Sequence, residues 1–118
     1  MPELAALARQ RLPQWADRIA VGNAIDWIPK RRFDFVRTGL EYVPRRLRAE
    51  LVGHLLDAMV APGGRLIIGA RSEVAGSEPQ LQAEVAGWGP SSIAGAVEVP
   101  HTQDDRVVRR AFWLEKSA

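Results

Sequence analysis

The sequence of 118 residues predicts an α/β fold, in which a mostly parallel sheet ends in an antiparallel hairpin. Segments typical of strands alternate with segments whose apolar residues recur at helical spacing. The stretch 65–69 is short and almost wholly apolar, as expected of a parallel strand that is covered on both faces. Two strand-like segments at the C-terminal end are joined by the short polar stretch 100–105, which favours an antiparallel hairpin. The length allows a single domain.

The N-terminal half is predicted to form a helix, two strands and a second helix. Residues 2–12 carry apolar side chains at helical spacing, and a proline follows them. Residues 18–21 and 33–36 are short apolar runs bounded by turn-forming residues, so both are predicted as strands. After Pro44, the regular apolar stripe of residues 47–59 indicates the second helix.

The C-terminal half is predicted to form a strand, a helix and two further strands. Pro62-Gly63-Gly64 stops the second helix and precedes the apolar strand 65–69. Ser77 is expected to cap a third helix, with Gln80 placed to reach back as in a capping box. The last two predicted strands are the segments 93–99 and 106–114.

Composition excludes several classes of function. The chain has no cysteine, which rules out disulfides, thiolate metal sites and cysteine nucleophiles. No apolar run is long enough to span a membrane, and the N-terminus lacks the apolar core of a signal peptide, so we expect a cytoplasmic protein. The net charge is only +2, and acidic residues separate the arginine clusters. A nucleic-acid partner is therefore not expected.

A combination of segments resembles one enzyme family. Three runs are similar in order and spacing to motifs of the class I S-adenosylmethionine-dependent methyltransferases. They are Gly22-Asn23-Ala24-Ile25-Asp26, the run 33–44 with Phe33-Asp34-Phe35-Val36 at its start, and the run 61–68 with Pro62-Gly63-Gly64. The resemblance implies a Rossmann-like sheet with helices on both faces. It also implies a methyl transfer from S-adenosylmethionine to a small-molecule substrate.

The resemblance assigns five residues to the cofactor. Asn23 stands where the family usually has an aspartate that contacts the adenine. Ala24 would offer a backbone N–H near the base, and Ile25 would pack on the ring. Arg37 and Thr38 would line the side nearest the methionine half of the cofactor. From the residues alone, Gly22-Asn23 has an alternative interpretation as a plain chain turn.

On the substrate side the resemblance implies Tyr42 and His101. Tyr42 falls where the family often places a residue beside the transferred methyl group or the substrate. His101 lies in the polar hairpin loop and could act there as a proton shuttle. No catalytic residue is assigned, and the two histidines lack the spacing of metal ligands.

The sequence also departs from the family pattern. The first strand of the family, its Gly-rich turn, the next helix and a second strand with a ribose-binding acid would all precede Pro2. We therefore expect residues 1–118 to be a single truncated methyltransferase-like domain with impaired cofactor binding. The absent strands would lie between the strands 18–21 and 33–36, so their loss opens two sheet edges.

Open edges favour self-association, and we expect a homodimer. The alternative function is a non-catalytic, oligomerising remnant of the methyltransferase fold that uses these edges to bind protein.

Overall fold

The residues that the structure describes form one sheet and three α-helices. The computed structural model describes residues 2–19, 24–41, 43–70, 73–77, 79–88, 93–101 and 103–117. The helices are α1 (Pro2–Arg11), α2 (Arg45–His54) and α3 (Gln80–Ala86); a 3₁₀ helix spans Pro13–Arg18, and a π-helical segment, Leu55–Met59, continues α2. None of the helices in these ranges is long and apolar enough to cross a membrane.

The strands are β1 (Phe33–Gly39), β2 (Val60–Gly69), β3 (Glu73–Val74), β4 (Ile93–Pro100) and β5 (Val107–Glu115). Strands β1 and β2 pair in parallel. Strand β5 runs antiparallel to β2, to β3 and to β4. The predicted α/β class and its C-terminal antiparallel hairpin are confirmed, but the described sheet is mixed, not mostly parallel, because only β1 and β2 pair in parallel. Among the described strands, β1 and β4 lie on opposite sides of the sheet and each pairs with one neighbour, as does the two-residue strand β3.

The core lies on one face of the two central strands. Leu66 pairs with Leu114 and Ile68 pairs with Phe112, and each of these side chains is at most 1% exposed. The helix α2 and its π-helical continuation cover this face with apolar side chains: Leu51, Val52, Leu55 and Met59. The apolar stripe predicted for the second helix is therefore the surface that faces the sheet.

Strand β2 begins earlier than predicted and contains an irregular stretch. Phe33 pairs with Val60 but Phe35 pairs with Arg65, so extra residues of β2 are accommodated between these two pairs. Gly63 has a φ of 80°, a conformation that favours glycine. A Cβ on Gly64 would come within 2.8 Å of the Asp34 carbonyl oxygen. The two glycines thus let the chain pass close to β1 before the regular ladder starts.

Two local predictions are wrong. Arg18, the predicted first residue of a strand, ends the 3₁₀ helix, and residues 20–21 lie outside the described residues. Ser77 does not cap α3, since the helix begins at Gln80 and Pro79 stands at its N-cap position; the Ser77 hydroxyl donates to the Val74 carbonyl oxygen. The Glu73 carboxylate accepts the hydrogen bond of the Gln80 N–H instead, at 3.2 Å. An acid from outside the helix therefore satisfies this free donor.

Positive side chains hold the end of the π-helical segment. The Asp57 carbonyl oxygen accepts from Arg32 Nε at 3.2 Å and from Lys116 Nζ at 3.1 Å. Lys116 Nζ also donates to the Val60 carbonyl oxygen. The C-terminal ends of helices leave carbonyl groups without partners, and cations satisfy them well.

We predict opposite effects for two glycine-to-alanine substitutions. A methyl group at Gly95 would collide with the ring of Trp113, so Gly95→Ala should lower the free energy of unfolding by about 1–3 kcal/mol. Gly53 is exposed in α2 with nothing within 4 Å of its Cβ position, so Gly53→Ala should raise it by about 0.5–1 kcal/mol. Urea denaturation measures both values. Equal effects of the two substitutions would contradict the packing described for β4 on β5.

Candidate functional site

A cleft opens where the two parallel strands end. Gly39 and Gly69, the last residues of β1 and β2, are register partners. Together with Arg37, Thr38, Glu41 and Ala70 they line a cleft of about 350 Å³. Because neither glycine has a side chain, the backbone of both strands is accessible from the cleft. Ligands of open α/β sheets bind at this end of the strands.

Opposite charges flank the two glycines. A Cβ on Gly39 would lie 2.6 Å from Glu41 Oε2, and a Cβ on Gly69 would lie 3.7 Å from Arg37 Nη2. The Glu41 carboxylate and the Arg37 guanidinium thus each lie over one strand end. Within the part of the chain that the structure describes, neither group forms an ion pair. Both charges are available to a ligand.

A second cleft, of about 200 Å³, lies between the strand ends and the helices α2 and α3. It shares Glu41 and Ala70 with the first cleft; its other lining residues include Leu40, Arg45, Arg48, Glu73 and Glu84. The two clefts are therefore neighbours, and Glu41 lies at their common boundary.

Arg48 fixes the helical wall of the second cleft. Its Nη1 donates to Glu84 Oε2 at 3.2 Å, and its Nε donates to the Val43 carbonyl oxygen at 3.0 Å. The Arg48 side chain is 17% exposed, so this pair is partly shielded from solvent. These contacts connect α2, α3 and the loop after β1.

Arg110 holds Glu73, another lining residue of the second cleft. Its guanidinium donates to Glu98 Oε2 at 2.9 Å, to Glu73 Oε2 at 3.0 Å and to the Ser77 carbonyl oxygen at 2.6 Å. The hydrogen bond from Arg110 to Glu98 is the main cause that raises the pKa of Arg110, and Glu73 adds to it. Since Glu73 also accepts from the Gln80 N–H, Arg110 positions the residue that begins α3.

The hairpin loop between β4 and β5 has its own local network. His101 Nδ1 accepts from the Gln103 N–H at 3.1 Å. Asp104 accepts from the Arg106 side chain and from its backbone N–H, and these two hydrogen bonds lower the pKa of Asp104. In the described ranges, no group of three or more histidine, aspartate or glutamate side chains is arranged to hold a metal ion.

The structure brings some of the predicted site residues together. Arg37 and Thr38 line the first cleft. Ala24 lies in a turn and Ile25 packs against the core, and the described walls of the two clefts contain neither of them. Asn23 and Tyr42 lie outside the described residues.

His101 follows the end of β4, at the same end of the sheet as the clefts but on the far side of β5. It is therefore separated from β1 by three strand spacings, roughly 14 Å in total.

Sequence reasoning missed three residues that line the second cleft, Arg45, Arg48 and Glu84. It also missed Arg110, which holds the lining residue Glu73. The alternation of buried and exposed side chains along β5 could have identified Arg110. Val108, Phe112 and Leu114 are buried on one face of that strand, and Arg110 is in phase with them. An arginine in phase with core positions must have partners, because burying an unpaired charge is costly.

Comparison with solved structures identifies the fold. The N-methyltransferase NodS from Bradyrhizobium japonicum WM9 superimposes with a TM-score of 0.70 at 15% identity, covering 100% of this chain and 70% of that chain. Its complex with S-adenosyl-L-homocysteine gives 0.69 at 16% identity, covering 100% of this chain and 64% of that one.

A Burkholderia thailandensis methyltransferase is also similar. The 1,6-didemethyltoxoflavin-N1-methyltransferase, with bound 1,6-didemethyltoxoflavin and S-adenosylhomocysteine, gives a TM-score of 0.70 at 18% identity, covering 99% of this chain and 57% of that chain. No protein-family model and no curated protein matches the sequence. The fold is therefore that of the class I methyltransferases, as the sequence motifs predict, and this chain spans between 57% and 70% of the three structures.

We predict that Arg110 determines the order of α3. In Arg110→Met, Glu73 loses its main cationic partner, so the amides of Gln80–Ala86 should exchange with deuterium faster than in the unmodified chain, while those of β2 change less. The neighbouring Arg109 is exposed, which makes Arg109→Met the matched control with little change. Equal exchange in both variants would contradict this role, and Arg110→Lys should restore part of the protection.

We predict a pH-dependent contribution from Asp104. Its pKa in the folded state is below its ordinary value of 3.8, so it stabilises the fold above that value and this stabilisation is lost as the pH falls through the folded-state pKa. Asp104→Asn should thus be less stable than the unmodified chain near pH 6, and the difference should shrink near pH 3. Urea denaturation at the two pH values measures it. A difference independent of pH would contradict the role of the carboxylate charge.

Proposed function

We propose that this chain forms part of an S-adenosylmethionine-dependent methyltransferase that acts on a small molecule. The observation that carries the proposal is the cleft at the ends of β1 and β2, where two glycines expose the backbone between Arg37 and Glu41. It lies at the ligand-binding end of a sheet with the methyltransferase fold. Two of the similar structures contain S-adenosylhomocysteine, which supports the same ligand class here.

The charges of the first cleft fit the amino-acid end of the cofactor. That end carries a carboxylate and an ammonium group. Arg37 can donate to the carboxylate, and Glu41 can accept from the ammonium. Gly39 and Gly69 add no side chain of their own to this cleft of about 350 Å³. Thr38 contributes less, because its hydroxyl donates to the Gly39 carbonyl oxygen at 3.3 Å.

The second cleft is the proposed acceptor site. S-adenosylmethionine, when bound, supplies a methyl group by in-line displacement to a nucleophilic atom of the acceptor. The role of the chain is to hold the two molecules in line. Arg48 and Glu84 form a rigid wall, and Glu41 borders both clefts. Since the similar enzymes are N-methyltransferases, we propose a nitrogen atom as the acceptor, with Tyr42 and His101 as the further substrate-side residues.

Cofactor binding by this chain alone is proposed to be weak. The sequence contains no Gly-x-Gly-x-Gly run, which is the type of turn that lets a backbone approach a nucleotide cofactor closely. The residues proposed for the methionine end, Arg37 and Glu41, remain. We therefore expect affinity for the amino-acid end without the full contribution of the ribose and the adenine.

A second candidate function is a non-catalytic, self-associating protein with the same fold. The observation that favours it is Phe35 on the edge strand β1, whose side chain is 70% exposed. Within the described residues, the outer edge of β1 has no partner strand, and an exposed aromatic residue beside such an edge favours pairing with another strand.

Titration calorimetry with S-adenosylhomocysteine tests the first proposal. We expect weak binding that is detectable at about 1 mM ligand. Arg37→Met and Glu41→Gln should each reduce the affinity by about tenfold, because each removes a charge-assisted hydrogen bond. Arg46→Met is the control, since Arg46 is an exposed arginine of α2 outside both clefts, and it should bind like the unmodified chain.

Two results would decide against the proposal. An absence of heat at this concentration would contradict independent cofactor binding and favour the second candidate function. Binding that is equally strong in Arg37→Met, Glu41→Gln and Arg46→Met would contradict the assignment of the first cleft.

A further inference from the structure

We propose that the acceptor of the second cleft is a small amine that carries an anionic group, a carboxylate or a phosphate, and that Arg45 binds this group. This rests on the proposed function, since it names the class of acceptor for the site assigned there. Three features of the cleft support it: the charged side chains that line it, the partners that these side chains already have, and its size.

Five charged side chains of the described residues line this cleft: Glu41, Arg45, Arg48, Glu73 and Glu84. Its other lining side chains among those residues are uncharged: Leu40, Ala70, Gln80 and Leu81. The charge of a ligand is favoured where it meets an opposite charge that has no close partner in the protein. The existing partners of the five charges therefore decide which ligand the cleft favours.

Three of the five charges have close partners. Glu84 Oε2 accepts from Arg48 Nη1 at 3.2 Å, and the two side chains are only 23% and 17% exposed. Glu73 Oε2 accepts from Arg110 Nη1 at 3.0 Å, and Arg110 also binds Glu98, which lies outside the described lining of this cleft. The side chains of Arg48, Glu73 and Glu84 are therefore engaged within the protein, and they shape the cleft.

Arg45 and Glu41 keep their charges free. Arg45 Nε lies 4.0 Å from Glu84 Oε1, at the outer limit for an ion pair, and Glu84 already has Arg48 as its closer partner. The Arg45 side chain is 83% exposed, and no described residue accepts a hydrogen bond from it. Glu41 likewise forms no ion pair within the described ranges. The cleft thus offers a cation at Arg45 and an anion at Glu41.

The two free charges have different positions. Glu41 also lines the first cleft, where the ammonium group of the cofactor is proposed to bind it. Arg45 is the first residue of α2 and, of the two clefts, lines only the second. With the cofactor bound, Arg45 is therefore the lining charge of the described residues that still has no close partner. An acceptor held at Arg45 extends from there toward the boundary of the two clefts.

The chemistry of an arginine and the size of the cleft define the acceptor. A guanidinium group binds a carboxylate or a phosphate through parallel N–H donors. An acceptor whose only charge is an ammonium group would bring a second cation toward Arg45, which is unfavourable. The cleft volume of about 200 Å³ is below the roughly 300–1,000 Å³ of sites that enclose drug-sized ligands. With the nitrogen acceptor already proposed, the ligand is a small amine with one anionic group.

Three matched compounds test the role of the anionic group: β-alanine, propanolamine phosphate and propanolamine. Each has a primary amine on a three-carbon chain, and only the first two carry an anionic group. Each is titrated into the isotope-labelled chain, and binding is followed by the amide chemical shifts of α2 and α3. The two acids should bind about threefold to fivefold more tightly than propanolamine, which is the effect expected of one exposed ion pair.

Arg45→Met should remove this preference. Its affinity for the two acids should fall by about threefold to fivefold, while its affinity for propanolamine should not fall. Arg46→Met is the matched control, because Arg46 is the next residue of α2, is exposed, lines neither cleft and changes the net charge equally. Both variants should fold, since a cation in the first turn of a helix opposes the helix dipole. Circular dichroism checks the folding.

Three outcomes would overturn the proposal: no shift with either acid at about 10 mM, equal affinity for propanolamine and the two acids, or an equal loss in Arg45→Met and Arg46→Met. A preference for one acid over the other supports it and identifies the anionic group.

The titration needs no cofactor, so its result is separate from the calorimetry with S-adenosylhomocysteine. Cofactor binding that depends on Arg37 and Glu41, without acid binding at Arg45, would contradict the acceptor class alone. Acid binding that depends on Arg45, without any cofactor binding, would contradict the proposed cofactor site and leave the anion recognition by Arg45 in place.

Discussion

The pairing of β2 with β5 is the constraint on which the rest of the structure depends. Leu66 lies opposite Leu114, and Ile68 lies opposite Phe112, so four buried side chains form one continuous apolar face. A shift of β5 by one residue would turn Phe112 and Leu114 toward the other face, away from Leu66 and Ile68, so burial fixes the register. The stripe of α2 packs on this face, and the fixed register sets where β2 ends. The position of the clefts follows from that end.

Arg110 shows how the same strand serves both the core and the site. Its position in phase with Phe112 brings a guanidinium to the edge of the apolar face, where Glu73, Glu98 and Ser77 satisfy it. Charged hydrogen bonds that converge from three segments restrict each of them. The walls of the second cleft are thus set by ion pairs, whereas the floor of the first is set by two glycines.

Periodicity predicts the elements whose apolar residues recur at a regular spacing within the element itself. The helix α2 and the β4–β5 hairpin follow their apolar spacing. The family resemblance singles out Arg37 and Thr38, and both line a cleft. The cap of α3 was mispredicted because Glu73 reaches Gln80 across a turn, a contact that local propensity does not encode. Likewise, Arg48 and Glu84 are 36 residues apart, and only the folded chain shows that they pair.

The contacts of Lys116 have a consequence for how the chain can be altered at its end. Its backbone N–H donates to the Gly64 carbonyl oxygen, its own carbonyl oxygen accepts from the Gly63 N–H, and its ammonium group binds the carbonyl oxygens of Asp57 and Val60. A shortened chain without this lysine would uncover backbone groups of both β2 and the π-helical segment. Affinity tags or reporter fusions are therefore best attached after Lys116, with that residue retained.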